Sequence, residues 1–261
     1  MSLKPDKKFL YSYYRAQAND RHRMYQGGGF REYKQLRRLN LIKELLKAWD
    51  PGRGLILDIG CGDGHAASLL FGEQTPPCLG LDYSLEKLRK FAGNGPKRMV
   101  LLGDAESLPL KDECVDYVVC LETLEHLPTP GACMREAARV LKRGGWCLIS
   151  MPVNSALQPF IKGLMKKVKK TRVFDEHIQT ITPQDLKQML MANGFNILHL
   201  SLCGFNIPLF NFLTDRIPYS WFAKLDGVFA KLPLPYTGAG IHAGISLGVG
   251  NEYAIAMARK I

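Results

Sequence analysis

The feature that most constrains this chain is the stretch Leu55-Ile56-Leu57-Asp58-Ile59-Gly60-Cys61-Gly62-Asp63-Gly64. A short apolar run ends in an acid and then in three glycines at alternate positions. Leu55 to Leu57 are too few for a helix and too continuous for a half-exposed strand, which suits a parallel strand covered on both faces. His65-Ala66-Ala67-Ser68-Leu69-Leu70 has helical composition. The glycines therefore fall at a strand-to-helix crossover, the ligand-binding edge of an open α/β sheet. A dinucleotide turn with G-x-G-x-x-G spacing needs its third glycine at position 65, where His65 stands.

Further strands follow at regular intervals. Cys78 to Leu81 ends in Asp82-Tyr83-Ser84, and Leu85, Leu88 and Phe91 then share one helical face. Asp82, about 20 residues past the glycine turn, is placed to accept hydrogen bonds from two ribose hydroxyls. Its other reading is a helix N-cap, for which Ser84 is an equal candidate. Met99 to Leu102 leads into Gly103-Asp104-Ala105-Glu106, Asp116 to Cys120 reads as a fourth strand, and Ala132 to Leu141 as a helix. Gly144-Gly145 then turns the chain into a fifth strand, Trp146 to Ser150. Thr182-Pro183-Gln184-Asp185 predicts a capped helix start, and Asn193-Gly194 its end. Phe195 to Leu202 and Tyr253 to Ala258 predict the last two strands.

With Asp58 two residues ahead of Gly60, the first motif is D-x-G-x-G-x-G, and the chain resembles the class I S-adenosylmethionine-dependent methyltransferases. The resemblance extends to the methyltransferase type 11, ubiquinone-biosynthesis-like branch. It implies an α/β, Rossmann-like fold, a seven-stranded mostly parallel sheet with helices on both faces and an antiparallel last strand beside the sixth. It also implies S-adenosyl-L-methionine as cofactor, in a turn made by Asp58, Gly60, Cys61, Gly62 and Gly64. Asp82 and Tyr83 would serve the ribose, Asp104 and Ala105 the adenine, and Leu121 would complete the donor site.

The acceptor side rests on Glu122-Thr123-Leu124-Glu125-His126-Leu127. If this piece is helical, acids at i and i+3 and a histidine at i+4 share a face and offer oxygen and imidazole ligands at metal-site spacing. The string resembles those of ubiquinone-biosynthesis O-methyltransferases and of small-RNA 2′-O-methyltransferases. The RNA branch uses it, with a downstream histidine, to hold magnesium. Here His177 precedes Thr182 by five residues, as that pattern requires. The resemblance thus implies Glu122, Glu125, His126 and His177 as a Mg2+ set, and Glu122, Glu125 and His126 as catalytic. The competing reading has His126 acting alone as general base or packing in the core.

Around this core the chain divides into an N-terminal helical arm and lid (1–50), a donor-binding core (51–205), an acceptor-site cap (206–249) and the last strand (250–261). The arm carries Tyr11, Tyr13, Tyr14 and Tyr25 ahead of Gly27-Gly28-Gly29. A helical period from Arg31 through Leu36, Leu39, Ile42, Leu45, Leu46 and Trp49 stops at Pro51-Gly52. The cap holds Phe205, Phe210, Trp221 and Phe229 in or beside it, and its aromatic content favours a small lipophilic or aromatic acceptor.

Lysine and arginine exceed the acids by 35 − 24 = 11. That favours anionic partners, and the cations between Lys162 and Arg172 form a candidate membrane-surface stretch. Nucleic acid is the weaker expectation, because no ordered basic and aromatic platform accompanies the charge. Seven cysteines without a C-x-x-C pair fit reduced thiols in the cytoplasm. The expected function is methyl transfer to a small acceptor. The alternatives are metal-assisted RNA 2′-O-methylation and a non-catalytic donor-binding protein.

Overall fold

A computed structural model describes residues 30–47, 54–72, 76–153, 179, 181–203 and 253–261. Helix α1 (Phe30–Leu46) buries Leu39, Ile42 and Leu46 on the stripe expected from their spacing, and Arg38 with them. Strand β1 (Ile56–Ile59) is buried at all four positions. It pairs in parallel with β2 (Cys78–Asp82) on one side and β4 (Val115–Leu121) on the other, which is why its sequence does not alternate.

The sheet runs β3-β2-β1-β4-β5-β7-β6, with β3 at Arg98–Leu102, β5 at Leu141–Pro152, β6 at Phe195–Cys203 and β7 at Tyr253–Lys260. Strand β7 lies antiparallel between β5 and β6, as expected. The chain steps outward from β1 to β3 and then returns to the other side of β1. The strand order therefore reverses at β1 and β4 and opens a crevice at their carboxyl ends.

Alternate residues feed two apolar layers. Leu57, Ile59, Val118 and Cys120 pack with α4 (Pro130–Val140) and α5 (Pro183–Ala192). On the opposite face Ile56 and Val119 pack with Ile42, Ala67 and Phe91, from α1, α2 (His65–Phe71) and α3 (Leu85–Gly93). Thr182 caps α5 in a full capping box with Asp185. Ser84 caps α3, its hydroxyl accepting from the Lys87 N–H, so Asp82 is not the cap.

One boundary differs from expectation. Gly144-Gly145 does not separate a helix from a strand but lies inside β5, which begins directly after α4. A register shift against Val115 and Tyr117 absorbs the extra residues, and Gly144 at φ 72° takes the bend. Cys61, Cys78, Cys114, Cys120, Cys133 and Cys147 are unpaired thiols, four of them buried. No helix among the described residues is long and apolar enough to cross a membrane. The tyrosines of the arm, Trp49, the cations from Lys162 to Arg172 and the stretch 206–249 lie outside the described residues.

Candidate active site

The glycine turn is held by main-chain bonds, and at Gly60 it leaves no room for a side chain. The N–H groups of Gly60 and Cys61 both donate to the Leu81 carbonyl, at 2.7 and 3.0 Å, anchoring the turn to the end of β2. Gly60 takes φ 72°, and a Cβ there would sit 2.3 Å from Thr123 Oγ1. That hydroxyl lies between the Ile59 and Leu121 carbonyls, at 3.2 and 3.1 Å, and so ties the ends of β1 and β4. Gly62 differs: its φ is 56°, and a Cβ there would meet nothing within 4 Å. The turn is packed from below at Gly60 and open at Gly62.

Asp82 joins this turn to β2. One carboxylate oxygen accepts the Gly62 N–H at 2.9 Å and the other the Ser84 N–H at 2.8 Å. Asp58 lies buried at the end of β1. Burial pushes its carboxyl up to about 7, against the pull of the Arg98 guanidinium and with a further push from the Asp82 charge. Burial also drives the Cys61 thiol well above its usual range, with the charge of Asp58 adding to it. Both effects disfavour the thiolate form of Cys61.

Beyond β3, Asp104 folds its own loop. Its Oδ1 accepts the Glu106 N–H at 2.8 Å, its carbonyl accepts the Ser107 N–H at 3.1 Å, and Ala105 is buried beside it. Arg139 of α4 then fixes the rest of the loop. It donates to the carbonyls of Leu108 and Leu110 and pairs with Glu136 and Asp112.

The turn after β4 is not the helix that the Glu122, Glu125 and His126 spacing predicts. Glu122 sits in the left-handed region at φ 52°, and only Leu124–His126 form a single 3-10 turn. The two acids consequently face different partners. Glu122 Oε1 lies 2.7 Å from Arg38 Nη1 and accepts from Ser150 Oγ at 3.1 Å. Arg38 also stacks its cation over the Tyr253 ring, 5.1 Å from the centroid. Glu125, 2% exposed, turns inward with Oε1 3.6 Å from His126 Nε2. Among the described residues no group of three or more His, Cys, Asp or Glu side chains is placed to hold a metal ion. His177 lies outside the described residues. Glu122, Glu125 and His126 thus do not by themselves fit a magnesium site.

Sequence reasoning missed Arg38, Thr123 and Ser150. Arg38 had a signal, since it sits four residues before Ile42 on the apolar stripe of α1, where a cation must find a partner. Thr123 and Ser150 had none, because their partners are brought together only by the sheet.

A reversed parallel sheet with a three-glycine turn braced by the β2 acid defines the class I S-adenosylmethionine-dependent methyltransferase fold. The chain belongs to the methyltransferase-domain family, whose model matches residues 25–200. It is 28% identical over 161 residues to a Mycolicibacterium smegmatis protein named "Probable S-adenosylmethionine-dependent methyltransferase", a match covering 62% of this chain and 59% of that one. It is 30% identical over 174 residues to the ubiquinone biosynthesis O-methyltransferase of Aliivibrio fischeri, covering 61% and 72%. The magnesium protoporphyrin IX methyltransferase of Synechocystis, solved with bound SAH, shares the fold. That match has a TM-score of 0.64 and 18% identity, and covers 98% of this chain and all of that one. The chain spans 50 to 59% of the length of the mycobacterial relatives that it matches.

Proposed function

We propose that this chain transfers a methyl group from S-adenosylmethionine to a small lipophilic or aromatic acceptor. The observation that carries the proposal is the Asp82 carboxylate holding the Gly62 N–H beside the open side of the glycine turn. That arrangement presents an acid and an uncrowded backbone where the adenosine of the donor would lie. In this reading Asp58, Gly60, Cys61, Gly62 and Gly64 shape the methionyl pocket and Leu121 walls it. Asp82 and Tyr83 hold the ribose, and Asp104 and Ala105 meet the adenine.

Methyl transfer from a sulfonium needs alignment and exclusion of water more than covalent help from the protein. His126 is the acceptor-side base in this proposal. Buried Glu125, within ion-pair distance of its Nε2, steadies the imidazolium that forms as the acceptor loses its proton. Glu122 is bound to Arg38, so its role is to fix α1 against the ends of β4 and β5. The N-terminal arm and lid and the cap at 206–249 keep their expected acceptor-side roles in this proposal, and the arm before α1 and the cap lie outside the described residues. Similarity to a ubiquinone-biosynthesis O-methyltransferase supports a lipophilic acceptor.

One contact favours a second reading, methylation of RNA 2′-hydroxyls. The N–H of Gln179, two residues after His177 in sequence, donates to the Glu125 carbonyl at 3.1 Å. The chain at Gln179 is thus tied to the turn that carries Glu125 and His126, and His177 itself lies outside the described residues. Incubation with methyl-labelled donor and separated lipid, metabolite and RNA fractions decides between them. Label in lipid or metabolite is expected; label in RNA alone would establish the second reading, and label in no fraction would leave a donor-binding protein.

A further inference from the structure

The described sheet has two edges, and they are built differently. Strand β6 carries a register shift between Ile197 and His199 and polar residues at Asn196, His199 and Ser201. Bulges and polar side chains of this kind deter pairing with another chain. Strand β3 has no register shift, and Arg98 at its start is its one polar side chain. It reads Arg98-Met99-Val100-Leu101-Leu102, pairs among the described residues only with β2 and keeps an unbroken register along its length. Met99, Val100 and Leu102 are 44, 43 and 55% exposed, three large apolar side chains on five consecutive residues.

The ladder also fixes which main-chain groups point outward. The Cys78 N–H donates to the Lys97 carbonyl, and the Gly103 N–H donates to the Asp82 carbonyl. In a parallel pair, the residues of one strand that bond its neighbour alternate with residues whose N–H and C=O face away. Lys97, Met99, Leu101 and Gly103 therefore serve β2. Val100 and Leu102 present their N–H and C=O groups to the outside, and Arg98 its C=O, its N–H donating to the Gly95 carbonyl at 3.2 Å.

We propose that β3 is a self-association edge, at which two copies of this chain pair antiparallel about a two-fold axis at Val100. In that register residue i faces residue 200 − i, so Val100 opposes its own copy and Arg98 opposes Leu102. Val100 then forms a full hydrogen-bonded pair with its own copy, the Leu102 N–H of each copy reaches the Arg98 C=O of the other, and an isologous, self-limiting dimer results. Charge selects the direction. Lys97 precedes the strand and Asp104 follows it by two residues. An antiparallel copy brings the Lys97 end of each strand to the Asp104 end of the other, whereas a parallel copy would bring like-charged ends together.

Light scattering on the full chain from low to high micromolar concentration tests the proposal, together with Val100→Cys under mild oxidation. The expected results are a dimer and a disulfide-linked dimer through Cys at 100, since only this register sets position 100 against itself within disulfide reach. Leu198→Cys on the β6 edge should not cross-link. Val100→Lys, on an exposed side chain, should give a monomer that binds S-adenosylhomocysteine as the parent does. If Val100→Pro is also folded, it should be monomeric too. A parent chain that is monomeric throughout the range would overturn the proposal, including one that recruits a different protein at this edge. So would a dimer that Val100→Lys leaves intact.

Discussion

Asp58 is the residue at which stability and donor binding should pull in opposite directions. Its carboxyl is raised from 3.8 to about 7 by burial, so the folded chain takes up a proton that the unfolded chain releases between those values. Stability therefore declines as pH rises through this window, and the full cost of the buried charge is present above about pH 7. The rise from 3.8 to about 7 sets an upper bound of about 4 kcal/mol on this cost. Asp58→Asn removes the charge and nearly keeps the shape. At about pH 8 the ligand-free variant should melt above the parent, by up to about 10 °C if the whole cost is recovered. The gain should shrink toward about pH 5, where the parent carboxyl is protonated in the fold.

Donor binding should move the other way. The donor and its product carry an ammonium group that an ionised Asp58 would attract, so the variant should bind S-adenosylhomocysteine about tenfold or more weakly. Below about pH 7 the parent should release a fraction of a proton on binding, and the variant none. Thermal melts by circular dichroism at both pH values, with titration calorimetry in buffers of different ionisation heat, read all three effects. A variant that is no more stable than the parent at about pH 8 and binds product equally well would refute the reasoning.

Other perturbations test neighbouring parts of the account. Gly60→Ala would force a Cβ to 2.3 Å from Thr123 Oγ1 at φ 72°, and denaturant unfolding should show a loss of about 2 kcal/mol or more. Arg38→Ala leaves Glu122 without its buried cation and should cost about 3 kcal/mol by the same measurement. Thr182→Ala should cost about 1 kcal/mol. The Asp185 carboxyl that shares this cap is held low by the Thr182 hydroxyl and N–H, so its contribution is present above the usual carboxylate pKa and fades as pH falls through the lowered value. His126→Ala should lower kcat about 100-fold or more, with the affinity for S-adenosylhomocysteine unchanged; equal losses in both would remove His126 from the role of base.

Much of the fold could be read from the sequence because β1 announces itself through an unbroken apolar run and three glycines, and because Thr182 and Asp185 form a cap from local residues alone. The acid at 82 was legible for the same reason, since strand, turn and helix fix its place. The turn at Glu122 was not. A left-handed backbone at a glutamate leaves no mark in the sequence, and it separates two acids that helical spacing would have put on one face. Arg38 reads as one of several arginines until tertiary packing buries it against Glu122 and Tyr253. The exposed side of β3 has the same apolar residues as a covered strand, and only the sheet order tells the two apart.

In the proposed function the donor lies against the open side of the glycine turn. Gly62→Val tests it most directly, because a side chain at φ 56° would project where nothing in the chain stands, at a backbone strain of about 1–2 kcal/mol. Titration of S-adenosylhomocysteine into the parent should show saturable one-to-one binding. The folded variant, checked by circular dichroism, should show none. No binding by the parent, or equal binding by both, would contradict the account.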